Sequence, residues 1–185
     1  EEAARNSDEV VIFAVQEDRS AIPFSDRFSL MKQGIADLRN VVVISGGDYI
    51  VSNATFPTYF IKGTDELAAQ TRLDAMIFAQ RIAPELNITA RYVGEEPNDK
   101  TTMAYNQAMS EILPENGIEL YIIPRKEING EVISASKVRK AVLEGNWEAV
   151  ASMVPKSTLV YLQSEKGNEI VKRIELMETI KGGIR

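Results

Sequence analysis

The segment from Ile133 to Arg139, with the sequence ISASKVR, combines residue types that suit the binding of a phosphate group. Its two serines, Ser134 and Ser136, stand where a predicted strand gives way to a predicted helix. Free N–H groups and the positive end of the helix dipole favour an anion at such a helix start. Lys137 and Arg139 add two fixed cations, which suit a polyphosphate better than a lone carboxylate. A serine N-cap followed by ordinary surface charges is the alternative.

A second pair of cations, Arg125 and Lys126, follows the fourth predicted strand and precedes this motif. Together with Lys137 and Arg139 they place four cations at one end of a chain whose net charge is −6. We interpret this segregation of charge as a phosphate-binding feature, with a solvated surface cluster as the alternative.

The segment Gly94-Glu95-Glu96-Pro97 follows the third predicted strand and is a candidate for contact with a nucleoside. Glycine allows the backbone to approach a ligand closely, and a carboxylate such as Glu96 accepts hydrogen bonds from ribose hydroxyl or amino groups. A plain turn between strand and helix is the competing interpretation.

Two further segments are candidates for binding the second substrate. The run Thr55–Phe60 crowds aromatic rings and hydroxyls into a loop, which suits an acyl or pantetheine-type slot. Arg27 follows a predicted helix start and is a candidate to reach the same site. Packing of the rings on the core, and a capping role for the segment around Arg27, are the structural alternatives.

The chain that must position these segments alternates short β-rich runs with longer amphipathic runs. This alternation predicts βαβ units and a mostly parallel sheet, hence an α/β fold. Ligands of such sheets bind beyond the carboxyl ends of the strands, where the segments above fall. Strands are predicted at Val10–Val15, Val41–Ser45, Ile88–Val93 and Ile118–Ile123, and helices at about 26–38, 64–86, 101–113, 135–145 and 168–181, with a short one after Asn146.

Composition narrows the class of protein. With 185 residues, 44% hydrophobic and 26% charged, the chain is long enough for one well-buried core. A net charge of −6 argues against nonspecific binding to nucleic acid or anionic membranes. The absence of cysteine and histidine excludes disulfides, thiolate nucleophiles and the commonest general base. No apolar run approaches the roughly 18–20 residues that span a bilayer, so we expect a soluble cytoplasmic protein.

The motifs taken together resemble the nucleotidyltransferase-type domain of the citrate lyase ligase family, from about residue 3 to about residue 163. Ser-x-Ser-x-x-Arg alone marks only the wider superfamily, whereas the threonine–aromatic loop and the Ile-Pro-Arg run are more specific. The segments that carry the resemblance are Pro23–Arg27, Gly47–Ile50, Ala54–Phe60, Gly94–Pro97, Tyr105–Gln107, Ile123–Glu127 and Ile133–Arg139.

The resemblance implies a Rossmann-like fold with a helical C-terminal tail. We expect one domain over residues 1–185, with an α/β body over 1–133, and a phosphate-binding helix and tail over 134–185. It also implies a reaction in which ATP and acetate acetylate the prosthetic-group thiol on the acyl-carrier subunit of citrate lyase. The route passes through acetyl-adenylate and gives AMP and pyrophosphate, with Mg²⁺ held largely by ATP oxygens and water, so that it leaves little ligand signature in the sequence.

Residue roles follow from the same resemblance. Lys137 and Arg139 are implied to be catalytic, because they would neutralise charge on the departing pyrophosphate. The implied nucleotide-binding residues are Gly94, Glu96, Pro97, Arg125, Ser134, Ala135, Ser136, Lys137 and Arg139, and the implied substrate-binding residues are Arg27, Thr55, Pro57 and Tyr59.

One departure from the family pattern is the missing His-x-Gly-His motif, since the chain has no histidine. The family pattern places that motif, and a central strand, before residue 1, so we interpret the sequence as a piece whose beginning lies upstream. Residues 1–185 alone are then expected to form no acetyl-adenylate. The alternatives are another small-molecule adenylyl- or cytidylyltransferase, and a nonenzymatic nucleotide-binding module.

Overall fold

A computed structural model describes residues 1–16, 20–52, 54–55, 67–96, 99–128 and 130–182, except for the side chains of 181 and 182. The chain divides into two compact units. The first comprises Glu1–Glu17 and Val43–Arg125, and the second comprises Asp18–Val42 and Lys126–Arg185. The single domain expected over residues 1–185, with an α/β body over 1–133, stays a prediction.

Strands and helices alternate in the first unit. Helix α1 (Glu2–Arg5) precedes strand β1 (Val10–Ala14), which is hydrogen-bonded to β2 (Val41–Ser45). Strand β3 (Ala90–Gly94) pairs in parallel with β4 (Glu119–Ile123), Ala90 opposite Glu119 and Gly94 opposite Ile123. The helical elements are α3 (Leu67–Ile77), a π-helical turn (Phe78–Ile82), α4 (Ala83–Glu85) and α5 (Lys100–Glu115).

Local sequence explains the ends of α5 and the core beside it. Asp99 caps the helix, its carboxylate accepting a 3.1 Å hydrogen bond from the N–H of Thr102. Pro114 lies in the last turn, and Gly117 follows the helix with a φ of +73°, which favours glycine. Residues from α3, the π-helical turn and α5 then form one apolar core, which includes Ala75, Phe78, Tyr105, Met109, Ile112 and Leu113.

The second unit is mainly helical. Helix α2 (Phe24–Gly34) is followed by a short antiparallel hairpin of β5 (Glu127–Ile128) and β6 (Glu131–Val132), whose connection contains Gly130 at a φ of +77°. The remaining helices are α6 (Ala135–Leu143), α7 (Trp147–Met153), α8 (Lys156–Leu162) and α9 (Glu165–Gly182). They bury a second apolar cluster of Ala21, Ala141, Val142, Val150, Leu162, Ile170 and Ile174.

Most predicted elements are present, and the α/β class is confirmed. The four predicted strands form within two residues of their expected bounds, and Asn146 caps α7 as expected. The single mostly parallel sheet is not seen, because the described strands form three two-stranded sheets. Whether the complete fold is Rossmann-like stays a prediction.

Three local expectations were wrong. The apolar run Val41–Ser45 predicts a buried strand, but in β2 Val42 is 54% exposed and Ile44 is 36% exposed. Ser25 suits the cap of a helix that begins at about Asp26, but α2 begins at Phe24, and the carbonyl of Pro23 accepts hydrogen bonds from the N–H groups of Asp26 and Arg27. The sequence predicts a loop over Pro124–Arg139, but this segment contains the β5–β6 hairpin and the start of α6.

No helix in the described part of the chain is both long enough and apolar enough to cross a membrane.

Candidate functional site

The start of α6 has the local geometry expected of an anion-binding helix end. Ser134 is extended, with φ −140° and ψ 154°, and its Oγ accepts a 3.3 Å hydrogen bond from the N–H of Lys137. The first intrahelical bond runs from Val138 N to Ser134 O at 3.1 Å. Ala135 and Ser136 precede it, so their N–H groups have no acceptor within the helix. Both side chains are exposed, which leaves this end of the helix open to solvent.

The two motif cations point to different sides of α6 and have different partners. They are two residues apart, which corresponds to about 200° around a helix. Lys137 Nζ lies 2.9 Å from Glu131 Oε2 of the hairpin, with both side chains well exposed. Arg139 Nε donates to Glu178 Oε1 of α9 at 3.1 Å, and both side chains are about one-third exposed. The hydrogen bond from Lys137 holds the pKa of Glu131 below its ordinary value.

The predicted nucleoside-binding residues of the first unit converge at the ends of β3 and β4. The N–H of Glu95 donates to Ile123 O at 2.9 Å, which extends the strand pair by one hydrogen bond. Arg125 Nε donates to Glu95 O at 2.9 Å, and its Nη2 forms an ion pair with Glu96. Gly94 is exposed, and its carbonyl accepts from Asn106 Nδ2 at 3.2 Å. Glu96 and Arg125 are therefore held together at the carboxyl edge of these strands.

Thr55, predicted to bind substrate, is part of a buried hydrogen-bond network. Its Oγ1 donates to Asp74 Oδ1 at 2.6 Å, and the residue is only 5% exposed. Asp74, which is 1% exposed, also accepts from Val51 N at 2.9 Å and from Tyr105 Oη at 2.5 Å. Val51 has a φ of +47°, a strained conformation for a β-branched residue. The network thus ties the chain after β2 to α3 and α5.

Arg91 of β3 extends this network into the core. Its Nη2 donates to Tyr105 Oη at 3.0 Å, and its guanidinium carbon lies 4.1 Å from the centre of the Phe78 ring. Its Nη1 is buried and has no hydrogen-bond partner among the described residues. Burial raises the pKa of Tyr105 well above its ordinary value, so the phenol stays a hydrogen-bond donor to Asp74.

Arg27 lies at the start of α2, next to a buried carboxylate. Its Nε donates to Ile22 O at 3.2 Å, and its guanidinium lies over the Phe24 ring. Asp26 accepts from Tyr161 Oη at 2.8 Å and pairs with Lys166 Nζ at 2.5 Å. The hydrogen bond from Lys166 lowers the pKa of Asp26, and burial raises that of Tyr161. These contacts fix the helix start from which Arg27 projects.

Three predicted site residues, Pro57, Tyr59 and Pro97, lie outside the described residues. The others fall into both units: Thr55, Gly94, Glu96 and Arg125 belong to the first, and Arg27 and the α6 residues to the second. Sequence reasoning missed Asp74, Tyr105, Asp26 and Glu178. Asp26 and Tyr105 lie in segments that carry the family resemblance, and the signal at Asp74 was a lone carboxylate among apolar neighbours of α3.

Two further observations on the described residues do not point to a binding site. Within the described ranges, no three acidic side chains are grouped so that they could hold a metal ion. An open groove of about 520 Å³ lies at the amino end of β4, lined by Pro114, Gly117, Ile118, Glu119, Leu120 and Tyr121. Ligands of parallel strands bind at their carboxyl ends, so we do not place the site in this groove.

Residues 1–162 match the family described as the citrate lyase ligase C-terminal domain. The chain belongs to the citrate lyase ligase family. It is 41% identical over 167 residues to the [citrate [pro-3S]-lyase] ligase of Klebsiella pneumoniae, and 42% identical over 171 residues to that of Haemophilus influenzae. The ligase of Escherichia coli K12 is 39% identical over 170 residues.

These alignments cover 88–89% of this chain and 48–50% of each relative. The chain therefore spans about half the length of the curated citrate lyase ligases that it matches. The matched span contains the Ser134–Arg139 motif, strands β3 and β4, and the residues Glu96 and Arg125 that follow these strands. Helix α9 begins at Glu165, after the span ends.

Proposed function

We propose that the full-length protein uses ATP and acetate to acetylate the prosthetic-group thiol on the acyl-carrier subunit of citrate lyase. The observation that carries the proposal is the exposed start of α6, with Ser134 as its N-cap and two cations, inside the span that matches the citrate lyase ligase family. We place this activity in the cytoplasm, where ATP is available.

The start of α6 is proposed to hold the ATP phosphates. The N–H groups of Ala135 and Ser136 lack intrahelical acceptors and suit phosphate oxygens. Lys137 adds an ammonium group whose partner Glu131 is exposed, so a phosphate can replace that carboxylate at little cost. Arg139 adds guanidinium donors, which match phosphate oxygens geometrically. These groups neutralise charge on the β- and γ-phosphates as pyrophosphate leaves.

Gly94, Glu96, Pro97 and Arg125 are proposed to contact the nucleoside. Arg125 fixes the Glu96 carboxylate, which would accept hydrogen bonds from ribose hydroxyl or amino groups. For the second substrate, Arg27, Thr55, Pro57 and Tyr59 stay predictions. The engagement of Thr55 with Asp74 favours support of that loop over direct substrate contact at this one position.

The proposed chemistry has two steps. An acetate oxygen attacks the α-phosphorus of ATP, forming acetyl-adenylate as the bond to the pyrophosphate oxygen breaks. The deprotonated carrier thiol then attacks the acetyl carbonyl carbon, and AMP leaves with the electron pair. Mg²⁺ would be held largely by ATP oxygens and water, where it would supply positive charge to the phosphates. Residues of this chain contribute positioning and charge neutralisation, which account for most of the catalysis in such transfers.

The first test is titration of ATP into full-length protein carrying Lys137→Ala or Arg139→Ala. Each change removes charge-assisted hydrogen bonds worth about 1.5–3 kcal/mol, so we expect ATP affinity to fall roughly tenfold or more. Lys140→Ala is the matched control, because Lys140 lies on the same helix, is 76% exposed and approaches only Glu144. Equal affinity of the two motif variants and wild type would overturn the phosphate assignment.

The second test concerns the reaction itself. Full-length enzyme should exchange pyrophosphate into ATP only when acetate is present, and should transfer labelled acetate to the carrier subunit. Exchange that depends on a small phosphate ester instead of acetate would favour the adenylyl- or cytidylyltransferase alternative. ATP binding without any exchange would favour a nonenzymatic nucleotide-binding module.

A further inference from the structure

Helix α9 contributes one residue to the proposed phosphate site, although it lies beyond the family-matched span of residues 1–162. Glu178 Oε1 accepts a 3.1 Å hydrogen bond from Arg139 Nε. The contact joins a residue of the phosphate motif to a helix that begins only at Glu165.

Packing of α6 against α9 fixes the position of this carboxylate. Ala141 and Val142 of α6 share a buried cluster with Ile170 and Ile174 of α9, and Val138 and Met177 pack against its edge. Arg139 and Glu178 directly follow those two edge residues, which places their pair at the rim of the helix–helix interface. Their partial exposure, 29% and 39%, agrees with this position.

The atoms that form the Arg139–Glu178 hydrogen bond determine which donors of Arg139 can still bind a ligand. A guanidinium has five N–H donors in one plane, and Glu178 takes the single donor on Nε. The four donors on the two Nη atoms have no hydrogen-bond partner among the residues that the structure describes. A contact through Nε therefore restricts the orientation of the plane and leaves its outer edge available for phosphate oxygens.

We propose that Glu178 is a positioning residue that orders Arg139 for contact with the ATP phosphates. This inference rests on the proposed function, because it assumes that α6 binds ATP. A free arginine side chain would have to be ordered when ATP binds, which weakens affinity. A preset guanidinium avoids most of that loss, while the exposed pair itself adds little to folding stability.

The test compares Glu178→Gln and Glu178→Ala with wild type in the full-length protein. We expect the Km for ATP to rise roughly threefold to tenfold in Glu178→Ala, the range for ordering one long side chain. Glu178→Gln keeps an acceptor oxygen and should be affected less. Glu175→Gln is the matched control: Glu175 is exposed on the same helix, has no described ion pair, and loses the same charge. The Km for acetate and the thermal unfolding midpoint should change little in all three variants.

A double-mutant cycle isolates the coupling between the two side chains. In an Arg139→Ala background, Glu178→Ala should cause no further rise in the Km for ATP. An independent additional effect would overturn the proposal, as would tighter ATP binding by Glu178→Ala, which would make Glu178 a competitor of phosphate. A lower unfolding midpoint with an unchanged Km would also overturn it, since the pair would then be only structural.

Failure of this inference can be told from failure of the proposed function. If Arg139→Ala weakens ATP binding and Glu178→Ala does not, the phosphate site stands and only the positioning role falls. If Arg139→Ala leaves ATP binding unchanged, the positioning role falls, and if Lys137→Ala leaves it unchanged as well, the phosphate assignment falls with it.

Discussion

The carboxylate in the core of the first unit and the carboxylates beside the motif cations of the second unit are held very differently. Asp74 is 1% exposed and accepts three hydrogen bonds, from a backbone N–H and two hydroxyls. Glu131 pairs with Lys137 and Glu178 with Arg139, and the two carboxylate side chains are 76% and 39% exposed.

This difference in burial indicates that the contacts of Asp74 stabilise the fold, whereas those of Glu131 and Glu178 belong to the proposed ATP site. Three buried donors would be left unsatisfied if Asp74 were lost, and an unsatisfied buried group costs far more than an exposed pair is worth. A phosphate can take the place of the Glu131 carboxylate, which is 76% exposed, whereas Asp74 is 1% exposed and is held inside the unit. We therefore expect substitution of Asp74 to change the free energy of unfolding, and substitution of Glu131 or Glu178 to change ATP binding.

The largest effect is expected for Asp74→Asn. The side-chain amide places an N–H₂ group where donors from Val51, Thr55 and Tyr105 now meet two acceptor oxygens. The free energy of unfolding should fall by about 2–4 kcal/mol, measured by urea denaturation. Asp48→Asn, an exposed change in the same unit, should leave the midpoint close to wild type. Equal midpoints for the two variants would show that the network does not hold the fold.

A steric change in the second unit should have the next largest effect. A Cβ on Gly167 would lie 2.2 Å from Leu162 O and 2.4 Å from Tyr161 O, so the start of α9 must move. Gly167→Ala should lower the free energy of unfolding by about 1–3 kcal/mol, measured by urea denaturation. Gly34→Ala is the control, because nothing lies within 4 Å of its Cβ and alanine favours the helix. If both variants match wild type, α9 does not pack against α8 as described.

The pair of Asp26 and Lys166 is intermediate in burial between Asp74 and Glu131, and its contribution to folding stability should depend on pH. Lys166 is 59% exposed, so Asp26→Asn should cost only about 1 kcal/mol at neutral pH. The folded protein lowers the pKa of Asp26 below 3.8, so its stabilising effect is present above that pH and is lost as the pH falls below it.

Urea midpoints of wild type and Asp26→Asn should therefore differ by a constant amount from pH 7 to pH 5 and converge below about pH 4. Asp37→Asn, at an exposed position of the same unit, is the control for removing one carboxylate. A difference that grows on acidification would contradict the assigned pairing.

The smallest effect is expected for Glu131→Gln, and the sign of the change in ATP affinity distinguishes a competitor of phosphate from a positioning residue. Glu131 is exposed and competes with phosphate for the Lys137 ammonium, so its loss should leave the unfolding midpoint unchanged. ATP binding, measured by calorimetry, should strengthen roughly twofold and the gain should shrink at high salt. Weaker ATP binding would instead give Glu131 the positioning role that we assign to Glu178.

Much of the local structure could be predicted from the sequence. The serine before the SKVR run predicted the cap of α6, and the apolar runs predicted all four longer strands, because both depend on neighbouring residues. The β5–β6 hairpin was missed, since two-residue strands give too short a pattern to recognise. The burial of β2 was wrong because an apolar run does not show what covers each face.

The sequence by itself determined the residue types at the candidate site, the Ser134 cap that begins α6 and the family to which the chain belongs. The tertiary structure decided the partners: Asp74 with Thr55 and Tyr105, Arg139 with Glu178, and Asp26 with Lys166. Hydrophobic packing sets which helix faces meet, and only then do side chains 19 to 140 residues apart come within hydrogen-bond distance. No local pattern carries that information, which is why the supporting carboxylates were missed while the motif was not.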